Sequence, residues 1–185
     1  MKVSETALPG VLLLEPKVYG DSRGFFLETY RRTHYQEAGI QRDFVQDNIS
    51  RSGRGVLRGL HFQLEKPQAK LVSVIRGAVF DVAVDVRHGS PTFGQWVGFE
   101  LSDQNHRQLF IPEGFAHGFE VLSEEADFFY KCSDYYHPTS EFGVCWNDAT
   151  INIPWHTKQP IISAKDSAYP SLMELSAQQL PRYQR

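Results

Sequence analysis

Residues 56–70, VLRGLHFQLEKPQAK, put an arginine (Arg58), a histidine (His61) and a lysine (Lys70) into a stretch otherwise suited to a sheet interior. Val56, Leu57, Leu60 and Phe62 are strand-forming, core-filling residues. Charges and imidazoles among such residues are expensive to desolvate unless each meets a partner. The segment therefore reads as the floor of a cavity that takes an anionic, polar ligand. In that cavity His61 is suited to general-base work near neutral pH. Lys70 could stabilise an oxyanion formed when the base removes a proton, and Arg58 offers a fork for phosphate. The alternative for His61 taken alone is a core histidine bonded to backbone. Arg58 and His61 stand three apart, so a regular strand would aim them at opposite faces. Serving one cavity requires a bulge or bend, and Gly59 marks its place.

Other segments carry comparable chemistry. DSRGFFLE (residues 21–28) combines arginine, aromatic rings and carboxylates. It reads either as a hairpin with surface charges or as a nucleotide clamp, with Arg23 for phosphate, a ring such as Phe26 for base stacking, and Glu28 for a base or sugar donor. Tyr130, within the aromatic run FFYKC, is either a structural phenol bonded to backbone or an acid. Asp166 is either a loop cap or, if the chain returns over a barrel, a carboxylate that orients a histidine ring.

PEGFAHG (residues 112–118) has the spacing PxGxxH, which resembles the second half of the cupin signature, whose barrels often hold a metal through histidines. The first half would require His-x-His and a carboxylate, whereas this chain has His61-Phe62-Gln63. Two histidines, His61 and His117, are too few for a typical site of three or four ligands. The resemblance implies the barrel and argues against the metal.

These residues need a scaffold, and the composition points to strands. At 185 residues the chain is sized for one domain, 1–185. Aromatic residues at 13%, with 10 Pro and 14 Gly as frequent punctuation, suit short strands and turns better than long helices. A formal net charge of −3 gives no basic stripe for a nucleic-acid polymer. The apolar run at residues 11–14 is too short for a signal peptide or membrane span, so no membrane partner is expected. With no export signal, Cys132 and Cys145 are expected as packing thiols and the protein as cytoplasmic.

Strands are predicted at 11–18, 25–30, 44–50, 56–63, 95–102, 106–111, 117–122, 127–136 and 141–146. A short helix is expected at 32–38, ended by Gly39. Residues 70–87 read as a hairpin turning at Arg76-Gly77. On its second arm Phe80, Val82, Val84 and Val86 share a core face, and Asp81, Ala83, Asp85 and Arg87 a wetter one. Residues 171–180 carry a weak helical pattern. About ten short strands without βαβ alternation predict an all-β sandwich or jelly-roll barrel with a few short peripheral helices.

Taken in order, DSRGFFLE, QDNIS, VLRGLHFQ, QAKLVSVIRGAVFDVAVDVR, GSPTFG, PEGFAHGF, FYKCSDYYHP and ISAKD resemble the dTDP-4-dehydrorhamnose 3,5-epimerase family, over residues 9–183. The resemblance implies a metal-free cupin enzyme of dTDP-L-rhamnose biosynthesis that uses no cofactor. By position, His61 resembles the family's base, Asp166 its dyad partner, Tyr130 the acid on the opposite sugar face, and Lys70 the residue beside O4. Arg23, Glu28, Gln46, Asp47, Asn48, Arg58, His117, Glu141 and Lys165 fall where relatives bind the nucleotide sugar. The family is dimeric, and residues 23–28 are similar to a segment that reaches the partner subunit's site. Trp146 is read as packing or as an edge of the site. The competing readings are an epimerase acting at one carbon only, a metal-dependent cupin enzyme, and a non-catalytic sugar-nucleotide binding protein.

Overall fold

A computed structural model describes residues 1–184. Two antiparallel sheets face one another. The first runs β1 (Lys2–Glu5), β2 (Leu12–Glu15), β10 (Gln108–Ile111), β7 (Lys70–Arg76), β12 (Glu125–Cys132) and β5 (Gln46–Gly53). The second runs β13 (Glu141–Gly143), β6 (Leu57–Gln63), β11 (Phe115–Val121), β8 (Ala78–Asp85) and β9 (Trp96–Ser102). A separate hairpin, β3 (Val18–Asp21) and β4 (Gly24–Leu27), stands apart from both. The helices are α1 (Arg32–Glu37) and the single turn α2 (Ala164–Ser167). This is an all-β jelly roll of the cupin type with short peripheral helices. No helix among the described residues is long and apolar enough to cross a membrane.

The core between the sheets holds Val72, Val79, Leu101, Leu109, Phe119 and Phe128, among others. The alternation along β8 has a different meaning from the one expected. Val82, Val84 and Val86 lie outside the barrel and are covered by Ile151, Ile153, Leu172, Leu175 and Leu180. Asp81 and Ala83 point inward, and both are fully buried. The face read as wetter is the barrel interior. Residues 171–180 form a 3-10 turn at Leu172–Glu174, not a helix, yet their leucines reach one apolar surface.

Two strand expectations change. Residues 11–18 break at Pro16 into β2 and β3, because proline lacks the ladder N–H. The hairpin at 70–87 is absent: β7 pairs with β10 and β12, whereas β8 pairs with β11 and β9. At Gly77, with φ +79°, the chain crosses between sheets, and a Cβ there would lie 2.1 Å from the Glu125 carbonyl oxygen. A turn dipeptide between two apolar runs is equally compatible with a corner. The helix at 32–38 is present as α1, ended by Gly39 at φ +93°.

The bulge needed in β6 is present. His117 lies opposite His61 and Phe119 opposite Arg58, so three steps along β6 match two along β11. Gly59 takes φ +125° there, and a Cβ on it would sit 2.5 Å from the Gly118 Cα. Only glycine satisfies both that backbone region and that approach. Gly59→Ala is expected to lower the unfolding free energy by more than about 2 kcal/mol. Urea denaturation checks this, and an unchanged midpoint would mean that the bulge tolerates a side chain.

Candidate active site

The bulge brings Arg58 and His61 to one cavity. Its two lobes, of about 250 and 520 Å³, share His61, Lys70, Tyr130, Tyr136 and Glu141 as lining. Gln46 and Asn48 line the smaller lobe; Arg58, His117, Ser163 and Asp166 line the larger.

Asp166 reaches the barrel from α2, where Ser163 Oγ caps the helix by accepting from the Asp166 N–H at 3.0 Å. Its Oδ1 lies 2.9 Å from His61 Nε2, and its Oδ2 accepts the Gly59 N–H at 3.1 Å. Burial pushes the Asp166 carboxyl up, but the His61 contact and the Gly59 and Ser163 hydrogen bonds outweigh it, leaving it below the usual range. An ionised Asp166 accepts the Nε2 proton, so the Nδ1 lone pair is left free to accept one. Glu141 Oε1 lies 3.9 Å from that nitrogen.

A second histidine–carboxylate pair lies deeper. His117 Nε2 is 2.8 Å from Asp81 Oδ2, and both residues are buried. Burial pushes His117 down and Asp81 up. Lys70 lines both lobes, and burial lowers its pKa against the opposing pull of Cys132, Glu141 and Asp81. Among the described residues its ammonium has no carboxylate partner, because Asp81 is engaged by His117 and Glu141 by Lys165. Tyr130 is raised mainly by burial, which keeps its phenol protonated and able to donate.

Around the mouth, Arg58 is steadied by Ser52 Oγ, which accepts from Nε at 3.1 Å and Nη2 at 3.0 Å. Gln46 Nε2 donates to Asn48 Oδ1 at 3.0 Å, and Asn48 Nδ2 donates to Cys132 Sγ at 3.7 Å. Lys165 donates to Glu141 Oε2, which also accepts the Tyr136 hydroxyl at 2.5 Å. Tyr136 lines both lobes and was not singled out from sequence, because nothing in the SDYY run distinguishes one ring from its neighbour. Cys132 is a buried thiol that also lines the smaller lobe.

Several candidates lie elsewhere. Asp47 points to the other face of β5, where it accepts from Lys131 Nζ at 2.7 and 2.8 Å. Arg23 pairs with Asp21, and Phe26 is 68% exposed. Glu28 is held by Arg31 at 2.6 Å and His34 at 3.1 Å. None of these three lines either lobe within one chain. Trp146 borders a different surface cleft.

Among the described residues no group of three or more His, Cys, Asp or Glu could hold a metal ion. The Gln63 amide is used up by loop contacts, donating to Lys66 O and accepting from the His137 N–H. The donor set does not fit a metal and does fit proton transfer.

Because folding depresses the Asp166 pKa, its stabilisation is complete above the unfolded value of about 3.9 and fades as pH falls through the folded value. Asp166→Asn cannot ionise. It is expected to be less stable than the parent at about pH 7, with the gap closing below about pH 4. Denaturation across that range checks this, and a gap independent of pH would refute it.

The sequence matches the family profile described as dTDP-4-dehydrorhamnose 3,5-epimerase over residues 5–174. It is 58% identical over 175 residues to the dTDP-4-dehydrorhamnose 3,5-epimerase of Salmonella typhimurium, covering 93% of this chain and 96% of that protein. Identity to the Shigella flexneri enzyme of the same name is 56% over 168 residues, covering 90% and 93%. The crystal structure of dTDP-6-deoxy-D-glucose-3,5-epimerase from Legionella pneumophila, in complex with dTDP-4-keto-L-rhamnose, is similar at a TM-score of 0.97. It shares 55% identity, covering 100% of this chain and 99% of that one. With both sheets, the bulge and the paired imidazole already in view, these likenesses show that the chain belongs to the dTDP-4-dehydrorhamnose 3,5-epimerase family.

Proposed function

We propose that His61 and Tyr130 act as base and acid across a sugar ring, with Asp166 orienting the base and Lys70 stabilising the intermediate. The chain is an isomerase that epimerises dTDP-4-dehydro-6-deoxy-D-glucose at C3 and C5 to dTDP-4-dehydro-L-rhamnose. The observation that carries the division of roles is the His61–Asp166 contact of 2.9 Å beside a cavity that Lys70 and Tyr130 also line.

The chemistry follows from the ketone. A carbonyl at C4 acidifies the hydrogens at C3 and C5, so one base can serve both carbons. As His61 takes a proton, negative charge develops on O4. A nearby ammonium stabilises that enolate more than the neutral ketone, which lowers the barrier and not merely the binding energy. Tyr130 then donates a proton to the opposite face and inverts the centre. No electrons leave the substrate, so the reaction calls for no redox cofactor.

Arg58, Gln46, Asn48, His117, Glu141 and Lys165 are assigned to the nucleotide sugar. The whole chain acts as one cupin-like domain. A charged nucleotide sugar does not cross membranes unaided, which supports a cytoplasmic location. We assign Arg23, Phe26 and Glu28 to the partner subunit's cavity in a homodimer. The exposed apolar side chains Phe25, Phe26 and, on the outer face of β5, Ile49 support burial against a second copy. Asp47 is assigned to that outer surface through its pair with Lys131.

In deuterium oxide the enzyme is expected to place one solvent deuterium at C3 and one at C5, read by NMR of the sugar. His61→Ala should abolish both, and Lys70→Ala should slow both with little change in substrate affinity. Label at one carbon would make it a single-position epimerase, and unchanged labelling by His61→Ala would remove the assigned base. Mixing inactive His61→Ala and Arg23→Ala chains should restore about a quarter of the sites, because half of the dimers then carry one intact cavity. Mixtures that remain inactive would refute the shared site.

A further inference from the structure

Of the two residues directly opposite His61 in its sheet, only one carries a side chain. Across β6 and β11 its cross-strand partner is His117, but across β6 and β13 it is Gly143, which has no side chain. Directly opposite residues in antiparallel strands project from the same face, so a side chain at 143 would stand beside the imidazole. That space is filled from another part of the chain. A Cβ built on Gly143 would lie 2.4 to 2.6 Å from ring atoms of Tyr169. The Tyr169 ring meets the His61 ring at 5.7 Å between centroids and 66° between planes, an edge contact. Tyr169 lies three residues beyond Asp166, so one short segment supplies both the carboxylate and the ring.

We propose that Tyr169 is a positioning residue for His61, its ring standing in for the side chain that Gly143 lacks and keeping the imidazole in line with Asp166. This rests on the reading of His61 as the base. A single hydrogen bond through Nε2 fixes a point on the imidazole but leaves the ring free to swing about it. A ring edge on the flank left open by Gly143 restricts that swing and holds the Nδ1 lone pair toward the cavity. Tyr169 lines neither lobe, so it acts through His61 and not on the substrate. Its buried hydroxyl faces Lys165 and not His61, and the contact with the imidazole is made by the ring.

The test compares kcat, KM and melting temperature for Tyr169→Ala, Tyr169→Phe, Gly143→Ala and the double alanine variant. Tyr169→Ala is expected to lower kcat about ten-fold or more with KM within about two-fold, since small misplacements of a reacting group are costly. Tyr169→Phe should keep kcat within about two-fold of the parent. Gly143→Ala, which displaces the ring, should resemble Tyr169→Ala, and the double variant should lose no more than either single change. A drop in melting temperature with full kcat would make Tyr169 merely structural. A loss confined to KM, an equally impaired Tyr169→Phe, or additive losses would also overturn the proposal. His61→Ala serves as control: if it still turns over, the base itself is misassigned and the proposal falls with it.

Discussion

A neutral imidazole always has one nitrogen free to accept a proton, and the partner of the other nitrogen decides which; here that partner is Asp166. Much of the nearby backbone serves that contact. The segment before α2 is stitched to the start of β6, with the Leu57 N–H donating to Ile161 O at 3.0 Å and the Ile161 N–H to Gly55 O at 2.8 Å. Ser163 caps the turn, and the Gly59 N–H engages the second carboxylate oxygen. The same glycine that re-aims the strand thus also secures the carboxylate. Filling that position with a side chain would disturb both ends of the dyad together.

The other charges are arranged by what they leave unpaired. Asp81 is engaged by His117, Glu141 by Lys165 and Tyr136, and Asp166 by His61. Lys70 stands among these carboxylates without being claimed by one. A closely paired ammonium would have its charge largely compensated before any substrate arrived. An ammonium held by its surroundings, yet bonded to none of them, can respond to negative charge that develops during the reaction. Burial favours its neutral form, and the surrounding carboxylates oppose that tendency.

Much of the site was legible because it depends on residue type. Arg58, His61 and Lys70 amid core residues announced a polar cavity, and their spacing demanded the bulge that Gly59 provides. Asp166 was legible only conditionally, since its use depends on the chain returning over the barrel. The corner at Gly77 was not legible, because a glycine between apolar runs is common to hairpins and sheet crossings. Nor was the meaning of Asp81, whose strand has two buried faces, so alternation alone cannot say which lies inside. Tyr136 and Tyr169 were hidden for a related reason. Nothing local marks a ring whose importance comes from a distant partner.

The position of α2 in the chain has a consequence for biosynthesis. Asp166 follows all thirteen strands of the described residues, so every strand of both sheets is synthesised before the carboxylate. A chain synthesised only as far as the last strand contains the histidine but lacks the carboxylate that pairs with it. The pair between imidazole and carboxylate thus joins an early strand to a late helical turn, and it forms only when that turn docks on the sheets.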